Sequence, residues 1–78
     1  MSNKERYDKI FFDVFGVNED RLHEISFKGT PEWDSVGHMG LIARIEDEFD
    51  ILIEAEDLFG LRTYNIGKNI LKKYGIEI

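Results

Sequence analysis

Two amphipathic helical periods, separated by a long stretch that has no period, narrow the possible folds more than any other feature. Tyr7, Ile10, Phe11, Val14 and Phe15 follow i, i+3, i+4, i+7, i+8 spacing and share one face of a helix. This predicts a first helix from about Asn3 to Phe15. Gly16 stands where a left-handed cap would end it, with Val17 able to fold back on the last turn. Leu41, Ile42, Ile45 and Phe49 repeat the pattern behind Asp34 and Ser35. Either of those two residues can supply the N-cap of a second helix running from about Ser35 to Phe49. The stretch between the helices carries Gly29, Thr30 and Pro31 close together. It reads as a long loop, with a short helical turn near Leu22. So long a loop in a small domain needs pinning, and Leu22, Ile25, Phe27 and Trp33 are its apolar anchors.

After the second helix, Ile51 and Ile53 alternate with Leu52 in a short extended stretch, and Glu56 to Gly60 suit a brief third helix. Thr63 caps a fourth, in which Ile66, Ile70 and Tyr74 form one row and Gly67 and Leu71 an adjacent one. Lys68, Lys72 and Lys73 face outward or favour the C-terminal dipole, and Gly75 ends the helix. No two segments read as a hairpin. The expectation is one all-α domain over residues 1–78, a small four-helix bundle with a long loop between the first two helices.

A chain of 78 residues buries only about 60–65% of the surface it would expose when unfolded, which argues against a deep substrate cavity. It contains no cysteine, so disulfides, thiolate metal sites and cysteine nucleophiles are excluded together. Any thioester chemistry must draw its sulfur from a cofactor. No apolar run follows the N-terminal charges, and no stretch is apolar enough for a membrane span. The chain is therefore expected to be cytoplasmic, monomeric and not inserted in membrane. Its net charge of −6 is unevenly placed: nine acids and one base, Arg44, lie between Glu32 and Asp57, while seven acids meet nine bases elsewhere. Such a field repels nucleic acid and attracts basic protein surfaces.

At about 100° per residue, the second helix puts His38, Leu41, Ile42, Ile45 and Phe49 on its core side. Val36, Gly40, Ala43 and Asp47 lie opposite, with Met39 and Glu46 on a flank. A solvent stripe is ordinarily charged and helix-favouring. This one is small or apolar near its start and acidic near its end, and Gly40 costs about 1 kcal/mol relative to Ala. The stripe is expected to dock a partner. Ser35 and His38 are one turn apart, but the nearby acid, Asp34, adjoins the serine and is badly placed to orient the imidazole from behind. No catalytic residue is assigned, and His38 is read as a core-edge histidine. Asp47, Asp50 and Glu54 lack the alternating ligands and central glycine of a calcium loop, so no metal site is assigned.

Trp33-Asp34-Ser35-Val36 follows a pinned loop and opens an acidic helix, and here the chain resembles the acyl carrier protein family with its Asp-Ser-Leu type motif. The likeness covers nearly the whole chain. It includes Val14-Phe15-Gly16-Val17 closing the first helix, Ile25-Ser26-Phe27 in the loop, Ile45-Glu46-Asp47-Glu48-Phe49 closing the second, and Thr63 before the last. A lone Asp-Ser-Val is a weak signal, whereas the ordered set is specific. The resemblance implies 4′-phosphopantetheine joined to Ser35 by a phosphodiester, its thiol holding cargo as a thioester. It makes Asp34 part of the site that a phosphopantetheinyl transferase recognises. The implied partners are that transferase, an acyl- or aminoacyl-loading ligase, and downstream synthases or transferases with basic docking surfaces. Housekeeping fatty-acid carriers generally have acids where this chain has Gly37 and Gly40. The Trp33-Asp34-Ser35 version is more similar to dedicated carriers of secondary or surface-glycan pathways, and Gly37 is similar to D-alanyl carriers. An aminoacyl carrier and an unmodified carrier-like interaction module are the alternatives.

Overall fold

The computed structural model describes residues 1–78 and is all-α, with no strand. In chain order its helices are α1 (Asn3–Phe15), α2 (Ser35–Phe49), α3 (Ala55–Gly60) and α4 (Tyr64–Lys72). No helix is long and apolar enough to cross a membrane.

Local chemistry sets each boundary. Before α1, the Ser2 hydroxyl accepts from the Glu5 N–H at 3.1 Å while the Glu5 carboxylate accepts from the Ser2 N–H at 3.0 Å, a reciprocal capping box. Gly16 ends the helix at φ 66°, a left-handed conformation in which a Cβ is strained. Asp34 rather than Ser35 caps α2, its carboxylate accepting from the Gly37 N–H at 2.8 Å. At the other end Arg6 donates to the Glu48 carboxylate at 2.7 Å and to the Glu48 carbonyl. The same guanidinium covers the Phe49 ring at 4.7 Å. Phe49 is thus half-buried under a cation, not a sealed core residue as its spacing predicts. α3 begins one residue earlier than expected, and α4 ends at Lys72, with Gly75 at φ 82° closing the turns that follow.

The core is an aromatic cluster between α1, the long loop and α4. Phe11 meets Tyr7 at 4.9 Å, Tyr64 at 5.4 Å and Trp33 at 5.7 Å between ring centroids, and Phe15 stacks on Trp33 at 4.9 Å. Each such pair is worth about 0.5–1.5 kcal/mol beyond its burial. Leu41, Ile42 and Ile45 close the cluster from α2, and Ile70 and Leu71 from α4. Ile66 is exposed, so the predicted row on α4 reaches the core only from Ile70 onward. Gly67 permits close approach: a Cβ there would fall 2.1 Å from the Tyr7 hydroxyl, which donates to the Tyr64 carbonyl at 2.7 Å.

The loop is pinned much as its apolar residues suggest. Val17, Leu22, Ile25 and Trp33 are buried, whereas Phe27 is only half-buried. A short 3₁₀ turn at Glu19–Arg21 leads into Leu22. Ser26 bridges Thr63, and the Phe27 N–H donates to the Arg62 carbonyl at 2.9 Å. These bonds tie the loop to the α3–α4 connection and bring Phe27 and Arg62 to the same side as Ser35.

Candidate functional site at the start of α2

With Asp34 doing the capping, Ser35 is free of that duty. It is exposed, and its hydroxyl makes no hydrogen bond within the chain. The Ser35 and Val36 N–H groups also find no acceptor in the chain, as expected in the first turn of a helix. Val36, 81% exposed, and Met39 flank the serine on the solvent side.

Beside Ser35 lies a groove of about 130 Å³ between α2 and α3, lined by Ser35, Met39, His38, Phe27, Leu58, Phe59 and Arg62. The sequence reading missed the groove's far wall. Its signal was the neighbouring pair Leu58-Phe59 in a six-residue helix: adjacent positions point about 100° apart, so a short helix cannot bury both. Phe59 is left 67% exposed. Arg62 is exposed and stacks over Phe27 at 5.2 Å, with the Lys28 ammonium over the same ring at 5.5 Å.

His38 is buried below the groove, and the chemistry of its neighbours identifies its tautomer. The Trp33 indole N–H can only donate, and it reaches Nδ1 at 2.9 Å; the Leu58 carbonyl can only accept, and Nε2 lies 2.7 Å from it. The ring is therefore neutral and protonated at Nε2. Neither nitrogen retains a lone pair that could take the Ser35 proton.

The face predicted to dock partners divides in two. Val36, Met39, Ala43 and Asp47 are exposed, as expected. Ala43, Glu46 and Asp47 line a shallow acidic depression with Asp50, Ile51 and Leu52. Glu46 has a structural role as well. It is half-buried, and its carboxylate accepts from the Ile53 N–H at 2.9 Å, which fixes the turn after α2. Gly40 departs from expectation: it is half-buried and turned toward α1, where an added Cβ would rest 4.0 Å from Val14. That is ordinary contact, so no neighbour within the chain requires a glycine at this position. Gly37 has a local reason as well. A Cβ there would fall 2.5 Å from the Glu32 carbonyl, so the way the loop meets α2 is reason enough for a glycine.

Polar contacts help to hold α3 beside the packing of Leu58 and Leu61 on the core. The Asp57 carboxylate accepts from the Lys73 ammonium at 2.6 Å and the Tyr74 hydroxyl at 2.7 Å, and these two donors hold its carboxyl below the usual carboxylate range. The Tyr74 oxygen in turn accepts from the Glu54 N–H at 2.9 Å. No group of three or more His, Asp or Glu side chains converges closely enough to hold a metal ion.

No protein-family model matches the chain, and no solved structure matches it.

Proposed function

We propose that the chain is a carrier protein whose Ser35 hydroxyl receives 4′-phosphopantetheine and which holds acyl or related intermediates in a dedicated cytoplasmic biosynthetic pathway. The observation that carries this reading is the division of labour at the start of α2. Asp34 caps the helix, while the next residue presents an exposed hydroxyl with no partner. A serine kept only for capping would have its oxygen on a backbone N–H.

The residues present fit the group. The unpaired Ser35 and Val36 N–H groups and the positive end of the α2 dipole favour an anionic phosphodiester, by about 0.3–1 kcal/mol at an exposed site. The arm, when bound, supplies the thiol that the cysteine-free chain lacks. Met39, Phe27, Leu58 and Phe59 offer apolar wall beside the attachment point. Attachment forms a bond between the Ser35 oxygen and the phosphorus of coenzyme A, releases the nucleotide portion, and passes the hydroxyl proton to the transferase. The occupied nitrogens of His38 support a non-catalytic role for the chain itself.

Partners of basic surface would be steered by Asp47 and Asp50 and would settle against Val36, Met39 and Ala43. Steering sets the association rate and weakens with salt, whereas apolar contact governs the lifetime of the complex. The test is incubation with coenzyme A and a broad-specificity phosphopantetheinyl transferase. Intact mass should rise by one phosphopantetheine unit and stay unchanged in Ser35→Ala. An unchanged mass in the parent chain, with a control carrier modified in the same tube, would exclude the carrier reading.

A further inference from the structure

We propose that Arg62, backed by Lys28, is the phosphate-binding residue of this chain: it holds the phosphodiester that joins the arm to Ser35 and so directs the root of the arm into the groove. This inference rests on the carrier reading of Ser35. Arg62 and Ser35 line the same groove of about 130 Å³, and Arg62 is the only charged side chain among its seven lining residues. No acid lines it.

The fold places both cations before any anion arrives. The Arg62 carbonyl accepts from the Phe27 N–H at 2.9 Å, and the Lys28 N–H donates to the Trp33 carbonyl at 2.8 Å. From these anchors the Arg62 guanidinium lies over the Phe27 ring at 5.2 Å and the Lys28 ammonium over the same ring at 5.5 Å. Like charges gathered on one ring repel each other, and no carboxylate offsets them. The five ion pairs of the chain engage Lys4, Arg6, Lys9, Arg44 and Lys73 instead. The Asp34 carboxylate is held by the Gly37 N–H, and Asp57 by Lys73 and Tyr74.

The phosphodiester is the anion best placed to complete this pair. It is bonded directly to the Ser35 oxygen, whereas cargo hangs at the far end of a flexible arm. Attachment also adds a negative charge beside Asp34, in a segment with nine acids and one base, and Arg62 from outside that segment offsets the repulsion. A guanidinium suits the task, because its planar fork can give a phosphate two parallel N–H bonds, and stacking on Phe27 has already restricted it.

The test compares the chain before and after modification, once intact mass has verified attachment of the arm. In the parent, modification should displace the Arg62 Nε–H resonance and slow its exchange with water about two- to fivefold, as the strength of an exposed ion pair implies. The phosphorus resonance of the arm should move in Arg62→Gln, return toward the parent's position in Arg62→Lys, and move less in Lys28→Gln. Lys72→Gln, which removes a charge from α4, should leave it in place. An Arg62 signal unchanged by modification would overturn the proposal in the parent chain alone and leave the carrier reading standing. So would an Arg62 signal that moves only when the arm, transferred from succinyl- rather than butyryl-coenzyme A, bears a carboxylate cargo. A chain whose mass does not rise at all loses the carrier reading first, and this proposal with it.

Discussion

Trp33, two residues before Ser35, and Phe59, in the groove wall beside that serine, are held in different ways. Trp33 is fully buried, stacked on Phe15 and crossed by Phe11, within the cluster that joins α1, the loop and α4. Phe59 stands largely in solvent on a six-residue helix, and that helix is fixed by the Leu58 carbonyl, the Asp57 carboxylate, the partly buried Leu58 side chain and the buried Leu61 that caps it. Aromatic burial resists displacement because water cannot replace it, whereas part-buried polar contacts trade with water more readily. The wall that presents Ser35 is therefore rigid, and the facing wall can move. On the proposed carrier reading, that asymmetry would let the groove shelter a bound group and then release it.

The largest expected effect is on the rigid side. Phe11→Ala should cost about 3–5 kcal/mol, close to the whole stability of so small a domain, and should leave the chain unfolded or molten by near-UV circular dichroism. Phe59→Ala should change urea stability by about 0.5 kcal/mol or less. Equal losses at the two positions would erase the contrast. Phe49→Ala should fall between them, because its ring is only partly buried against the core and Arg6 covers its outer face.

Gly67→Ala should come next. The added methyl meets the Tyr7 hydroxyl and the Leu61 side chain, both in the buried cluster, and the resulting overpacking should cost about 1–3 kcal/mol in urea unfolding. A stability equal to the parent's would show that the aromatic wall yields more readily than its packing implies.

Gly40→Ala should act in the opposite direction. Its Cβ finds only ordinary contact with Val14, so helix propensity should stabilise the chain by up to about 1 kcal/mol. Modification of Ser35 should proceed at the parent's rate. Ala43→Arg, on the exposed face, should slow that modification at every salt concentration without unfolding the chain. A slowed Gly40→Ala would return Gly40 to the partner surface.

The smallest effect concerns the polar hold on α3. The folded Asp57 carboxyl lies below its unfolded value, so its contacts stabilise fully above the ordinary carboxylate range and are lost as pH falls through the folded value. Asp57→Asn should therefore lower stability at neutral pH and flatten its decline below about pH 4, measured by thermal melts across pH. A decline as steep as the parent's would assign the acid sensitivity to other carboxylates.

Helix positions were readable from the residues because apolar period and caps agree at each end: Gly16, Asp34 and Thr63 all stand where they were expected. Ser2-Asn3-Lys4-Glu5 held a capping box that went unread, although its spacing was visible. What the sequence could not convey depends on contacts between distant segments. The structural role of Glu46 was hidden because helical spacing shows direction and not the Ile53 N–H waiting seven residues later. Phe49 looked fully buried because nothing local announces Arg6, and the steric need for Gly37 depends on how the loop turns at Glu32. The groove required α3 to fold back beside Ser35, and only one exposed aromatic pointed to it.

The most direct measurement is the intact mass of the chain taken from its own cells, before and after treatment with hydroxylamine. The carrier reading requires one phosphopantetheine on Ser35, located by peptide mapping, and a further mass that hydroxylamine removes as a thioester. A chain bearing only its own mass in every fraction, or a modification placed on Ser2 or Ser26, would contradict it.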